Sequence, residues 1–192
     1  MLAAMSAPFA RLAMIARWKP VHIGHAAVLE GLVASAESVV IGIGSSNRYN
    51  AKNPFTAAET ADMLREALRE HENFTIVEVP DLDDGPRWRV MVREMLGHLD
   101  VFVTANGYVR GLLMDDYKVV HPVSFVPPER RARVSGTMVR AAMAEGEGWR
   151  DLVPPGVREL LLSRGLVDRF RREFGEETRA AAAALRHPGA AK

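Results

Sequence analysis

The chain has 192 residues, a length that fits one domain with a small helical appendage around a single apolar core. A net charge of +1 is too small for a surface built to coat nucleic acid or an anionic membrane, so any basic site must be local. The absence of cysteine excludes a disulfide framework and thiolate chemistry and fits a reducing, cytoplasmic setting. No run reaches the roughly 20 apolar residues of a membrane helix. Met1 to Ala10 is interrupted by Ser6 and Pro8, lacks a basic start, and does not read as a signal peptide.

In chain order, Leu12 to Ala16 is a short apolar run and reads as the first strand. Val28, Leu29, Leu32 and Val33 then recur at helical spacing within Ala26 to Ala36. Val39 to Ile43 is wholly apolar and β-branched, as a buried parallel strand should be. Thr56 and Glu59 form a capping-box pattern for a helix running to about Arg69. Phe74 to Val79 reads as a strand, Trp88 to Leu99 as a helix, and Val101 to Thr104 as a strand. Gly107 to Met114 reads as a helix and Lys118 to Val123 as a fifth strand. This alternation predicts an α/β fold, a doubly wound parallel sheet with helices on both faces. Helical periodicity over Thr137 to Ala144 and Pro155 to Phe174 predicts C-terminal helices folded back on the sheet. The segment 180–185 has helical composition but no apolar stripe. The expected organisation is therefore one domain over 11–174 and a poorly ordered or frayed helical tail over 175–192.

The informative stretch is Arg17-Trp18-Lys19-Pro20-Val21-His22-Ile23-Gly24-His25, between the first strand and the first helix. Ligands of open parallel sheets bind beyond the strand carboxyl ends, and a helix N-terminus there offers N–H groups to an anion. His22 and His25 are three apart and can face one side. Gly24 lets a ligand approach the backbone, and Arg17 adds a planar cationic fork suited to phosphate. The bland alternative is one capping and one packing histidine; the motif's placement at a strand-to-helix turn disfavours it. Two histidines without a third ligand also disfavour zinc. A second basic site opens a helix at Ser135-Gly136-Thr137, with Arg140 three residues past Thr137 and on the same face. Simple N-capping is its alternative; paired with the first cradle, it reads as the other jaw of a triphosphate clamp.

Arg-x-x-Pro-x-His-x-Gly-His with Ser-Gly-Thr-x-x-Arg near the end resembles the HxGH nucleotidyltransferase superfamily. Ile41-Gly42-Ile43-Gly44-Ser45, Lys52-Asn53-Pro54-Phe55-Thr56, Pro80-Asp81 with Trp88, Thr104-Ala105-Asn106 and Trp149 to Pro154 resemble the archaeal-type nicotinamide mononucleotide adenylyltransferases. The resemblance implies a Rossmann-like nucleotidyltransferase fold that moves AMP from ATP to nicotinamide or nicotinate mononucleotide. It implies that Arg17, His22, Gly24, His25, Ser135, Gly136, Thr137 and Arg140 hold ATP, that Lys52 reaches the phosphates or the acceptor, and that Asn106 sits near the adenosine. Asp81 and Trp88 would hold the acceptor; turn capping and core packing are their structural alternatives. Trp149 reads as a helix anchor. Mg²⁺ is expected on the ATP phosphates with no dedicated protein metal site, Asp83 and Asp84 reading as a solvated acidic turn. The expected partners are ATP and a mononucleotide, with no nucleic acid and no membrane, in a cytoplasmic homo-oligomer.

The chain departs from the pattern at Ala16, where the family has Gly, and at Lys19, where it has Gln. Ser46-Asn47-Arg48-Tyr49-Asn50 replaces a Ser-His loop and is one residue shorter, and Gly85 or Pro86 stands where an Asn precedes the tryptophan. The departures cluster on the acceptor side. Two other readings therefore remain open: the same chemistry with another phosphate acceptor or with CTP, and a nucleotide-sensing module without turnover.

Overall fold

Strands covered on both faces must be apolar on both sides of the pleat, as the middle of the sheet is, and five segments build the sheet. In the computed structural model, which describes residues 7–186, they are β1 (Phe9–Ala16), β2 (Ala36–Gly44), β3 (Phe74–Val79), β4 (Val101–Val103) and β5 (Val119–Val120). All pairings are parallel and the order is β3-β2-β1-β4-β5. This is the expected doubly wound, Rossmann-like α/β fold. The order reverses between β1 and β4, and ligand crevices form at such a switch point. The readings of the first six and last six residues lie outside the described part. Among the described residues no helix is long and apolar enough to cross a membrane.

Among the described residues there are seven α-helices: α1 (Ile23–Ser35), α2 (Ala57–Ala67), α3 (Gly85–Leu96), α4 (Gly107–Leu113), α5 (Gly136–Glu145), α6 (Pro155–Ser163) and α7 (Leu166–Arg186). The chain forms two compact units where the sequence suggests one domain and a tail. The first contains the chain up to Arg17, Ala27–Asn47 and Leu68–Arg131. The second contains Trp18–Ala26, Arg48–Ala67 and the chain from Ala132.

The first unit holds the sheet. Ala13, Val40, Val79 and Phe102 form one buried cluster with Val92, Leu96 and Leu113 of α3 and α4. The alternate residues Leu12, Val39, Ile41, Val101 and Val103 are also almost wholly buried, so both faces are covered. Asn73 ties α1 to β2: its Nδ2 donates to the carbonyls of Val33 at 2.9 Å and Ala36 at 2.8 Å. Helix α3 starts earlier than Trp88. Asp84 caps it by accepting the Arg87 N–H at 2.9 Å, and Pro86 is tolerated in the first turn, where its missing N–H is not needed. It also stops earlier than Leu99, because Gly97 at φ 62° closes it.

The second unit is helical. In it α5 packs on α7, α2 on α6, and α6 on α7. The capping box forms as read: the Thr56 N–H donates to Glu59 Oε2 at 2.9 Å and the Glu59 N–H to Thr56 Oγ1 at 3.2 Å. Pro155 to Phe174 is not one helix, because Gly165 at φ 63° breaks it into α6 and α7. Past Gly175 the described chain is helical, α7 continuing to Arg186. Its anchor is polar, which is why no apolar stripe betrays it. Arg171 Nε donates to the Met143 carbonyl at 2.7 Å and Arg179 Nη1 to the Ala144 carbonyl at 3.0 Å. These satisfy carbonyls that the end of α5 cannot satisfy itself. Trp149 is completely buried, as an anchor should be.

Arg169 is the polar hub of this unit. Its fork grips both oxygens of the capping-box Glu59, and Nη2 also donates to the Pro54 carbonyl at 3.2 Å. The guanidinium lies 5.8 Å from the Tyr49 ring centroid, and the Tyr49 hydroxyl donates to Glu173. With side-chain exposures of 23% for Arg169 and 17% for Glu59, water screens the pair only partly. Arg169→Ala should therefore cost about 2 to 4 kcal/mol, since it strands a half-buried carboxylate. Urea unfolding measures it; a loss below about 0.5 kcal/mol would place the pair with ordinary surface ion pairs.

Candidate active site

The HxGH turn and the start of α5 meet within the second unit. Arg140 Nη1 donates to the Lys19 carbonyl at 2.9 Å, and Nη2 reaches Thr137 Oγ1 at 3.3 Å. Ser135 caps α5 by accepting the Met138 N–H at 3.3 Å. A Cβ at Gly136 would stand 3.0 Å from Arg140 Nη1, so a glycine there gives the fork its room. A Cβ at Gly24 would stand 3.2 Å from His22 Nδ1, with the Ala132 carbonyl 3.6 Å away. His22, Gly24, His25, Ser135, Gly136, Thr137 and Arg140 thus form one construction, from segments more than 100 residues apart in sequence.

The two imidazoles stack with centroids 3.6 Å apart and planes 17° from parallel. His22 Nδ1 accepts the His25 N–H at 3.2 Å. That bond fixes the tautomer: in neutral His22 the proton sits on Nε2, which becomes an outward donor. Burial, and then the Arg140 charge, lower the His22 pKa from 6.5 to about 4. Burial, and then His22 itself, push His25 well below its ordinary value, and its buried Nδ1 has no hydrogen-bond partner. The site therefore holds one permanent cation and two neutral imidazoles, the His25 ring being hydrogen-bonded to the Pro20 backbone. Trp18, which the sequence reading passed over, lies edge-on to His25 at 4.8 Å, is wholly buried, and has φ 55°. A bulky residue rarely adopts that left-handed conformation, and the surrounding packing must hold it there. An aromatic wedged between Arg17 and the motif was the available signal.

Lys52 lies in the same unit on a separate turn. Asn50 Oδ1 gathers the N–H groups of Lys52 and Asn53, each at 3.0 Å, and presents the exposed lysine. The remaining candidates belong to the first unit. Arg17 is exposed just past β1. Asn106 caps α4, its Oδ1 accepting the Tyr108 N–H at 2.9 Å and the Val109 N–H at 3.3 Å. Asp81 is held through its backbone by Asn47, another residue missed because its partner lies 34 positions away. Trp88 is half-buried against the α3–α4 cluster. Among the described residues no group of three or more His, Asp or Glu side chains that could hold a metal ion is found.

The fold and the family together define a nucleotidyltransferase. Residues 14–142 match the cytidylyltransferase-like family, and the chain belongs to that family. It is 34% identical over 162 residues to the nicotinamide-nucleotide adenylyltransferase of Thermococcus onnurineus, covering 82% of this chain and 84% of that one. The enzyme of the same name from Methanococcus vannielii is 32% identical over 165 residues, covering 84% of this chain and 94% of that one. A bifunctional NMN adenylyltransferase/ADP ribose pyrophosphatase from Francisella tularensis, solved with AMP and an Mn ion, superposes with a TM-score of 0.71 at 16% identity. That likeness covers 94% of this chain and 57% of the bifunctional one, and speaks to the fold.

The neutral histidines have a cost in acid. Between pH 6.5 and about 4 the unfolded chain binds a proton at His22 that the folded chain refuses. Stability is whole above that window and declines as pH falls through it, with His25 acting in the same direction. Urea midpoints should fall across the window. His22→Asn, which keeps an acceptor for the His25 N–H, should flatten the fall; identical slopes for variant and wild type would refute a neutral, buried His22.

Proposed function

We propose that the chain transfers the AMP portion of ATP to nicotinamide mononucleotide, forming NAD and releasing pyrophosphate. The observation that carries this reading is the stacked His22–His25 pair beside the anchored Arg140 fork. It stands in a chain about a third identical, over most of its length, to enzymes of that name.

In the reaction, an oxygen of the acceptor phosphate attacks the α-phosphorus of ATP in line. The bond from the α-phosphorus to the bridging oxygen breaks, and its electron pair leaves with pyrophosphate. The acceptor phosphate is already anionic near neutral pH, so no strong base is needed. The barrier lies in bringing two polyanions together and in stabilising charge on the phosphoryl oxygens. His22 and His25 donate ring N–H groups there without adding net charge. Arg140, with Arg17 and Lys52, supplies the cations for the terminal phosphates. Gly24 opens the backbone to the ligand, and the N–H groups at Ser135, Gly136 and Thr137 add the positive end of α5. Mg²⁺, carried on the ATP phosphates, would neutralise part of the leaving-group charge. Asn106 already spends its carbonyl oxygen on capping α4, so its contribution to the adenosine falls to the amide nitrogen. Asp81 and the half-exposed ring of Trp88 hold the acceptor. The cysteine-free composition supports a cytoplasmic location.

A second reading, transfer to a different phosphate acceptor, draws on the altered Ser46–Asn50 loop. Incubation with ATP, Mg²⁺ and a panel of mononucleotides separates the two: NAD formed from nicotinamide mononucleotide supports the first, and pyrophosphate released only with another acceptor overturns it. His25→Ala should lower turnover by roughly 100-fold or more, as removal of a preorganised donor does; near-normal turnover in the folded variant would exclude a catalytic role. Trp88→Ala should weaken the acceptor by roughly five- to a hundredfold and leave ATP nearly unchanged. Parallel loss of both substrates with a large fall in melting temperature would return Trp88 to the core alone.

A further inference from the structure

Beyond Gly44 and Val79, the last paired residues of β2 and β3, the connection between the two strands continues. The Ser46 N–H donates to the Val79 carbonyl at 3.3 Å. Asn47 then bonds twice to a single residue: Nδ2 donates to the Asp81 carbonyl at 2.9 Å, and Oδ1 accepts the Asp81 N–H at 2.9 Å. A primary amide that takes both backbone groups of one residue acts as one more rung of sheet. It fixes the peptide planes around Asp81 without drawing on the carboxylate.

The chain on either side bends sharply. Ser45 at φ 53° and Asp83 at φ 54° are both left-handed without being glycine, and such residues hold their conformation only where neighbours enforce it. Directly after Asp83, Asp84 caps α3, and the Trp88 N–H donates to the Asp84 carbonyl at 2.9 Å. Asp81 and Trp88 thus lie on one short stretch. Asn47 grips one end of it and the α3 cap fixes the other.

We propose that Asn47 is the positioning residue of the acceptor site: it sets the trajectory that carries the Asp81 carboxylate and the Trp88 ring, and so tunes affinity for the mononucleotide without touching ATP. The proposal rests on the acceptor roles of Asp81 and Trp88 given above. It also assigns a task to the Ser46–Asn50 loop, where this chain departs from the pattern it resembles.

Asn47 is exposed, so its replacement should leave the melting temperature nearly unchanged and the variant folded. The test measures kcat and both KM values for wild type, Asn47→Ala and Asn47→Asp. Asn47→Ala loses both bonds and should raise the KM for nicotinamide mononucleotide about tenfold, with the ATP KM within about twofold and kcat within about threefold. Asn47→Asp keeps the acceptor for the Asp81 N–H and should recover part of that loss. Unchanged acceptor KM, or equal rises for both substrates, would overturn the proposal. If wild type uses another mononucleotide, the nicotinamide reading falls, and the same split measured with that acceptor still decides the role of Asn47. A wild-type chain with no turnover on any acceptor overturns both.

Discussion

The bond from Arg140 to the Lys19 carbonyl is where the geometry around the HxGH turn of the second unit begins. A guanidinium on a three-carbon stem has many rotamers, and ordering it on ligand arrival would consume binding energy. Here the fork is already oriented: one nitrogen is spent on the loop backbone and another on the Thr137 hydroxyl one turn back. Gly136 leaves the space, and Ser135 fixes where the helix starts. Each of these small features matters because the cation must wait in place.

Burial governs both histidines, with Arg140 adding to it at His22 and His22 adding to it at His25, so the rings remain neutral and stack face to face. Neutral donors suit a reaction in which charge moves from one phosphoryl oxygen to another. They can strengthen their hydrogen bonds as charge grows, without binding the ground state as tightly as a second pair of cations would. The tautomer follows from one backbone contact, the His25 N–H on His22 Nδ1.

Much of this was legible in the sequence because it is local. Buried parallel strands read as apolar runs, as Val39 to Ile43 does within β2, and Phe74 to Val79 falls where it was read as a strand. The Thr56–Glu59 box and the Ser135 cap are signals three residues long, and the HxGH turn declares itself by following a strand. What escaped was long-range or polar. The start of α3 depends on an aspartate cap and a proline that read as loop. The persistence of α7 past Gly175 depends on arginines reaching the carbonyls of α5. Arg169 gave no hint of gathering Glu59, Pro54 and Tyr49, because its partners lie more than 100 positions upstream. Gly165 looked like one residue of a continuous helix, and only its backbone angle shows the break.

The seam between β1 and β4 carries a kinetic consequence. Asp100, at the entry to β4, accepts the N–H groups of Ala10 and Arg11 at 2.7 and 2.8 Å across 90 and 89 positions of chain, while β1 and β2 meet across a single helix. Closing so large a loop is entropically the hardest step in the sheet, and contacts this distant form late in folding. A ribosome must have released the whole of β4 before the seam can close. The switch point of the sheet therefore does not exist in a nascent chain that already contains β1, α1 and β2.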